Sequence, residues 1–237
     1  RGFCPVSYHR GIVMQVVNYQ KELEKILAGI EKKQESGEEV PTLFLHSCCA
    51  PCSSYVLKYL RSYFAITVFY YNPNITEQEE YRKRAEEQKR LIGIYNEQVK
   101  SGQAKGYEIS YVDGCFDFDK FIEMAKPYAD CPEVGERCFL CYEMRLRKTA
   151  EEALARGFSY FGTTLTISPL KNAAKLNEIG QRIEKELGIL WLPSDFKKKE
   201  GYKQSIELSG EYGLYRQDFC GCAYSKAERE RQRREKE

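Results

Sequence analysis

The sequence has no apolar run long enough to cross a bilayer. Its longest, residues 42–45 and 66–71, fall far short of the roughly 20 residues that a membrane helix needs. Residues 1–18 hold no signal-length apolar stretch ending in a small-residue cleavage site, so nothing marks the chain for export and a cytoplasmic location is expected. Net charge is almost missing too: 37 Lys and Arg against 35 Asp and Glu leave +2. Any surface that binds nucleic acid must therefore be a local patch. No internal repeat is present, and no glycine-rich Ser-Gly-Gly loop follows the first strand-like segment. Cysteines fill the place where such a loop would cradle phosphate, which argues against ATP use.

With 237 residues, 42% of them hydrophobic, the chain can bury a substantial core. A mean hydropathy of -0.59 fits a soluble protein. Helical spacing of Val17, Leu23, Ile26, Leu27 and Ile30 predicts an amphipathic helix over 16–33, within an N-terminal extension of residues 1–40. An α/β domain is expected over 41–225 and a charged tail over 226–237. Within the domain, strands are expected at 42–46, 66–71, 107–112, 160–167 and 189–192. Helices are expected from the cysteine turn to about 63, and over 77–99, 119–125, 139–156 and 172–187, with residues 126–137 irregular. Such alternation predicts an open, mostly parallel sheet with helices on both faces and right-handed crossovers.

The ten cysteines are the main chemical signal, because cysteine-dense intracellular chains usually bind metal or do redox chemistry. Three groups fall in turns: Cys48, Cys49 and Cys52 after the first strand, Cys138 and Cys141 at a helix start, and Cys220 and Cys222 flanking Gly221. Turns that follow different strands of an open parallel sheet converge at its carboxyl edge. Unpaired N–H groups at a helix start also favour thiolate, the metal-binding form. Four thiolates suit zinc or an iron–sulfur cluster, and spacing does not choose between them. Cys220-Gly221-Cys222 exceeds the needs of one cluster and suits a redox-active disulfide or a further metal. Cys4 and Cys115 are read as bystanders.

The segments His46-Ser47-Cys48-Cys49-Ala50-Pro51-Cys52, Tyr71-Asn72-Pro73-Asn74, Glu80-Tyr81-Arg82, Arg137-Cys138-Phe139-Leu140-Cys141-Tyr142, Thr163 to Pro169, Ser194-Asp195-Phe196 and Tyr215 to Cys222 together resemble the QueH epoxyqueuosine reductases. Seven motifs in order are specific where one Cys-x-x-Cys would be weak. The resemblance implies reduction of the epoxide of epoxyqueuosine to the cyclopentene of queuosine at the wobble position of a tRNA anticodon. It implies a [4Fe-4S] cluster and a sheet like that of the ATP-pyrophosphatase and nucleotide-hydrolase (HUP) superfamily; an additional iron ion held by Cys220 and Cys222 is a further option from the chemistry of the reaction. The resemblance points to Cys48, Cys49, Cys138 and Cys141 as cluster ligands, with Cys52 competing for a place, and to Cys220 with Cys222 as a redox pair. Cys131 sits where the family pattern has no cysteine, and it is left out of the site.

Losing an epoxide oxygen to leave an alkene takes two electrons and two protons, so an acid must stand near the departing oxygen. Asp117 is the catalytic candidate, with Tyr142 and His46 behind it. Tyr71, Arg145 and Arg216 are expected to bind the tRNA substrate through stacking and charge. The electron donor is not specified by the sequence. Two other readings are an iron–sulfur tRNA-thiolation enzyme, which would need ATP, and a zinc-stabilised RNA-binding module.

Overall fold

The computed structural model describes residues 17–235. Its elements in chain order are α1 (Tyr19–Glu35), β1 (Thr42–His46), α2 (Ala50–Leu60), β2 (Ala65–Tyr70), α3 (Gln78–Lys100), β3 (Ser110–Asp113), α4 (Phe118–Ala125), α5 (Glu136–Ala155), β4 (Tyr160–Thr163), α6 (Ala173–Leu187), β5 (Leu190–Trp191), α7 (Gly201–Glu211) and α8 (Ala223–Arg234). The sheet runs β3-β2-β1-β4-β5, and every pair in it is parallel. The expected open parallel α/β sheet is what the chain forms. Among the described residues, no helix is long and apolar enough to cross a membrane.

Alternation along the strands explains the layering, since successive side chains leave a strand on opposite faces. Leu43 and Leu45 of β1 and Ile66 and Val68 of β2 join Leu23 and Leu27 of α1, Val56, Leu57 and Leu60 of α2, and Leu91 and Tyr95 of α3 in one core. Phe44 and Phe69 point the other way, into a second core with Leu146 and Ala150 of α5, Leu176 and Ile183 of α6, and Trp191. Each large apolar side chain buried in these layers contributes roughly 1.5–3 kcal/mol. Helix α1 is thus part of the main core, and α8 runs unbroken across residues 225 and 226. The start of the expected helix at residue 16, like Cys4, lies outside the described residues.

Several boundaries differ from the sequence reading. The strand expected over 160–167 stops at Thr163, where the chain turns into a short 3-10 segment at Leu165–Ile167. The Thr163 hydroxyl accepts the Leu165 N–H at 3.1 Å, which closes that turn. Helix α5 begins at Glu136 rather than 139, so both of its cysteines lie within the helix. The third strand sits at Ser110–Asp113 rather than 107–112, because the Tyr107 N–H is taken by the Arg61 carbonyl at 2.9 Å. Helix α7 was not anticipated.

Strand order reverses between β1 and β4, so the crevice beyond their carboxyl ends is where an open α/β sheet places a ligand. One fully buried imidazole fixes that edge. His46 Nε2 lies 3.0 Å from the Tyr71 carbonyl beyond β2, and Nδ1 lies 2.9 Å from Thr163 Oγ1 at the end of β4. A carbonyl only accepts, so Nε2 carries the hydrogen and Nδ1 accepts from the threonine hydroxyl. Burial, reinforced by the Arg145 charge, pushes the His46 pKa down to about 3, so the ring is neutral. We expect His46→Leu to destabilise the fold by about 2–4 kcal/mol, because it orphans two buried polar groups; a urea-unfolding midpoint close to that of the wild type would contradict this.

Candidate active site

The first sulfur group is built on the turn from β1 into α2. Cys49 is the N-cap of α2, extended at φ -173° and ψ 157°, and Pro51 occupies the first turn, where its missing N–H costs nothing. Buried Gln88 of α3 braces the turn, accepting from Ser47 Oγ and from Ser53 Oγ at 2.7 Å each. Asn72 Nδ2 donates to the Ser47 carbonyl at 2.8 Å. The sulfurs of Cys48, Cys49 and Cys52 thereby lie within 4.8 Å of one another, with Cys48 and Cys49 3.7 Å apart. Hydrogen bonds from Cys48 and Cys52 hold the Cys49 thiol well below its usual range. The Cys48 thiol, donating to Cys49, rises to about 11. Cys49 is thus the sulfur of the trio that ionises most readily.

Cys138, Cys141, Cys220 and Cys222 line a second, narrow cavity with Tyr142, Arg145 and Lys171. Cys138 Sγ accepts the Val134 N–H at 3.3 Å. Cys222 is the N-cap of α8, its sulfur accepting the Ser225 N–H at 3.3 Å. Cys220 Sγ receives Lys171 Nζ at 3.2 Å. The Cys222 thiol bonded to it, aided by Lys171 and Arg145, holds Cys220 well below the ordinary thiol range. Gly221 between them has φ 108°, and a Cβ there would meet Ile75 Cγ1 at 2.8 Å. Arg84 of α3 grips this turn from behind, its Nη1 donating to the Cys220 carbonyl at 3.1 Å.

Cys48, Cys52, Arg145, Lys171, Arg216 and Cys220 line a larger cavity open to solvent. Arg145, Lys171 and Cys220 belong to both cavities and so form their junction. Arg145 is 1% exposed. Its Nε donates to the Cys141 carbonyl at 3.2 Å, its Nη2 has no partner, and among the described residues no carboxylate pairs with it. A buried guanidinium without a counter-charge is strongly unfavourable. The groups that face it are the sulfurs of Cys141, Cys220 and Cys48, of which Cys220 is held well below the ordinary thiol range. Thiols arranged around an unpaired cation suit thiolate or metal-bound sulfur, so the donor set fits a soft metal centre.

Other sequence candidates fall elsewhere. Asp117 lines neither cavity; its Oδ2 accepts the Tyr71 hydroxyl at 3.0 Å and its Oδ1 pairs with Lys120 at 3.2 Å. Tyr71 is buried and stacks on Phe69 at 5.7 Å, and it lines neither cavity. Arg216 does line the open cavity and donates to Ser209 Oγ at 3.2 Å. Cys115 is exposed, and Cys131 is disulfide-bonded. Glu133 and Arg229, which also line the open cavity with Gln217 of the last motif, carry no sequence signal that distinguishes them from ordinary surface residues. Only the fold brings them to the sulfurs.

The family model described as "Epoxyqueuosine reductase QueH" matches residues 43–228, from the first strand into the last helix and across all three cysteine groups. The chain belongs to the QueH family. A relative from Staphylococcus epidermidis named epoxyqueuosine reductase QueH is 40% identical over 213 residues, covering 89% of this chain and 85% of the relative. One of the same name from Streptococcus pyogenes is 36% identical, covering 89% and 79%. Another from Thermotoga maritima is 35% identical over 188 residues, covering 79% and 92%. The QueH match leaves α1 outside it, although that helix packs in the core.

Gly221→Ala is expected to destabilise the protein by roughly 1–3 kcal/mol, since it adds a clash to a left-handed backbone position. Chemical denaturation under reducing conditions checks this, and the same substitution at solvent-facing Gly29, with nothing within 4 Å of a Cβ, should not be destabilising.

Proposed function

We propose that the chain is an epoxyqueuosine reductase that converts epoxyqueuosine to queuosine in tRNA, using an iron–sulfur centre held by thiolates at the carboxyl edge of the sheet. The observation that carries this reading is the gathering of Cys48, Cys52, Cys138, Cys141, Cys220 and Cys222 in two cavities that meet at buried Arg145, with Cys49 beside the first two, in a chain of the QueH family. Cys48, Cys49, Cys138 and Cys141 would hold a [4Fe-4S] cluster, with Cys52 competing for one of the first two places. Such a cluster supplies electrons singly at low potential. Cys220 and Cys222 serve either as the redox pair or as ligands of an additional iron.

The chain's own residues do the rest. Epoxide plus two electrons and two protons gives alkene plus water. Conversion of the Cys220 and Cys222 dithiol to a disulfide releases two electrons and two protons, so the two half-reactions balance, and an external donor restores the dithiol. Arg145 and Lys171 stabilise negative charge developing on the departing oxygen at the cavity junction. Burial keeps the His46 ring neutral and hydrogen-bonded at both nitrogens, so it acts by holding the strand ends. Arg216 and Arg229 at the open cavity supply charge for the RNA backbone. On this reading the protein works in the cytoplasm, on tRNA.

The sulfur trio by itself also suits zinc, which keeps a zinc-stabilised RNA-binding module as the second reading. Anaerobic incubation with epoxyqueuosine-bearing tRNA and a low-potential donor, followed by nucleoside mass spectrometry, should show queuosine without added ATP. A colourless protein rich in zinc that leaves the epoxide intact would end the proposal. Replacing both Cys220 and Cys222 by serine should remove turnover, at least ~100-fold, while leaving the broad iron–sulfur absorption. Cys49→Ser should lower the iron count itself.

A further inference from the structure

The open cavity has an unusual charge distribution. Five cationic side chains line it, against two carboxylates, Glu133 and Asp218. Asp218 is 61% exposed at the rim and paired with Arg233. Glu133 is only 17% exposed and stands with Lys171 and Cys220 near the sulfur-lined end. Lys171 is 3.6 Å from Glu133 and 3.2 Å from Cys220 Sγ, so its single charge is divided between two anions. Glu133 therefore keeps negative charge to offer, in a wall otherwise suited to phosphate.

Its placement is built. Val134, next in sequence, sits at φ 66°, a left-handed conformation that a β-branched residue adopts only where its surroundings enforce it. Two bonds enforce it here: the Val134 N–H is tied to Cys138 Sγ at 3.3 Å, and the Glu133 N–H to Glu228 Oε2 of α8 at 3.1 Å. Ser225 Oγ at 3.5 Å from Glu133 Oε2 steadies the carboxylate. The strain and both bonds serve to hold one acidic side chain at the cavity.

The base assigned under the proposed function has a feature that needs such a group. In epoxyqueuosine the epoxide-bearing ring is joined to the deazaguanine through a secondary amine, which is protonated at neutral pH like other alkylamines. A wall of guanidinium and ammonium groups repels that cation, and a partly buried carboxylate binds it through a charge-assisted hydrogen bond. We propose that Glu133 is the specificity residue of the site, accepting from the ammonium of the modified base and so placing the attached epoxide ring beside Lys171 and Cys220. The assignment rests on the epoxyqueuosine reading. It also explains how the enzyme tells its substrate from an unmodified anticodon: guanosine has no cation to offer, so the carboxylate adds nothing to its binding.

The test is equilibrium binding of the anaerobic holoenzyme, without electron donor, to one tRNA carrying either epoxyqueuosine or guanosine at the wobble position. The wild type should prefer the modified RNA by at least about tenfold. Glu133→Gln should hold the guanosine form within about twofold of wild type and lose most of the preference, whereas Asp218→Asn should keep it. A Glu133→Gln protein that retains the preference, or that weakens both RNAs equally, overturns the role of Glu133 and leaves the substrate reading standing. A wild type without any preference overturns the substrate reading itself, and the role of Glu133 falls with it.

Discussion

Two hydrogen bonds from one neutral imidazole hold together the three strand ends on which the site is built. His46 closes β1, and its ring bridges the segment after β2 and the end of β4. The cysteine turn leaves β1 immediately beyond it, and the segment bearing Lys171 leaves β4 immediately beyond Thr163. Since strand order reverses between β1 and β4, this is the place where two loops separate and leave a crevice. A charged histidine would need a counter-anion among these buried groups, so burial and hydrogen bonding act together to keep the pin uncharged.

Charge balance is the second organising fact. Among the described residues no carboxylate pairs with buried Arg145, and the sulfurs of Cys141, Cys220 and Cys48 face it instead. Carboxylates near the crevice are used differently: Glu80 neutralises Arg84 at 2.6 Å, freeing that guanidinium's other nitrogens to fasten the Cys220 turn. Each cation thus has a distinct task, and a substitution that removed one would leave a particular anion or carbonyl exposed in a dry site.

The layered architecture was legible in the sequence because buried strands and amphipathic helices alternate at clear periods. The cysteine groups were legible as well, since both helix-start cysteines carry their own spacing. Helix α7 was not, because its buried face is Gly201, Ser205, Leu208 and Ser209. Gly201 has the Phe196 carbonyl and the Tyr55 ring against it, and small residues that allow such close packing leave no hydrophobic period to read. Strand β4 was read too long because Leu165 and Ile167 are apolar and buried, yet they fill a 3-10 turn closed by a side-chain oxygen. His46, weighed as a proton donor, could be recognised as neutral only from its burial and its two partners. Glu133 was invisible, since one glutamate in an irregular segment gains meaning only from what the fold brings within reach.

The Cys220 carbonyl and the Arg84 guanidinium that holds it are 136 positions apart in the chain. Contacts of such long sequence separation form late, after the loop between them has closed. During synthesis the first cysteine turn emerges well before its counterpart. Until then the crevice stands open on the side that Cys220 and Cys222 later seal. Assembly of the centre is thereby ordered in time, with the ribosome delivering the closing pair of sulfurs last.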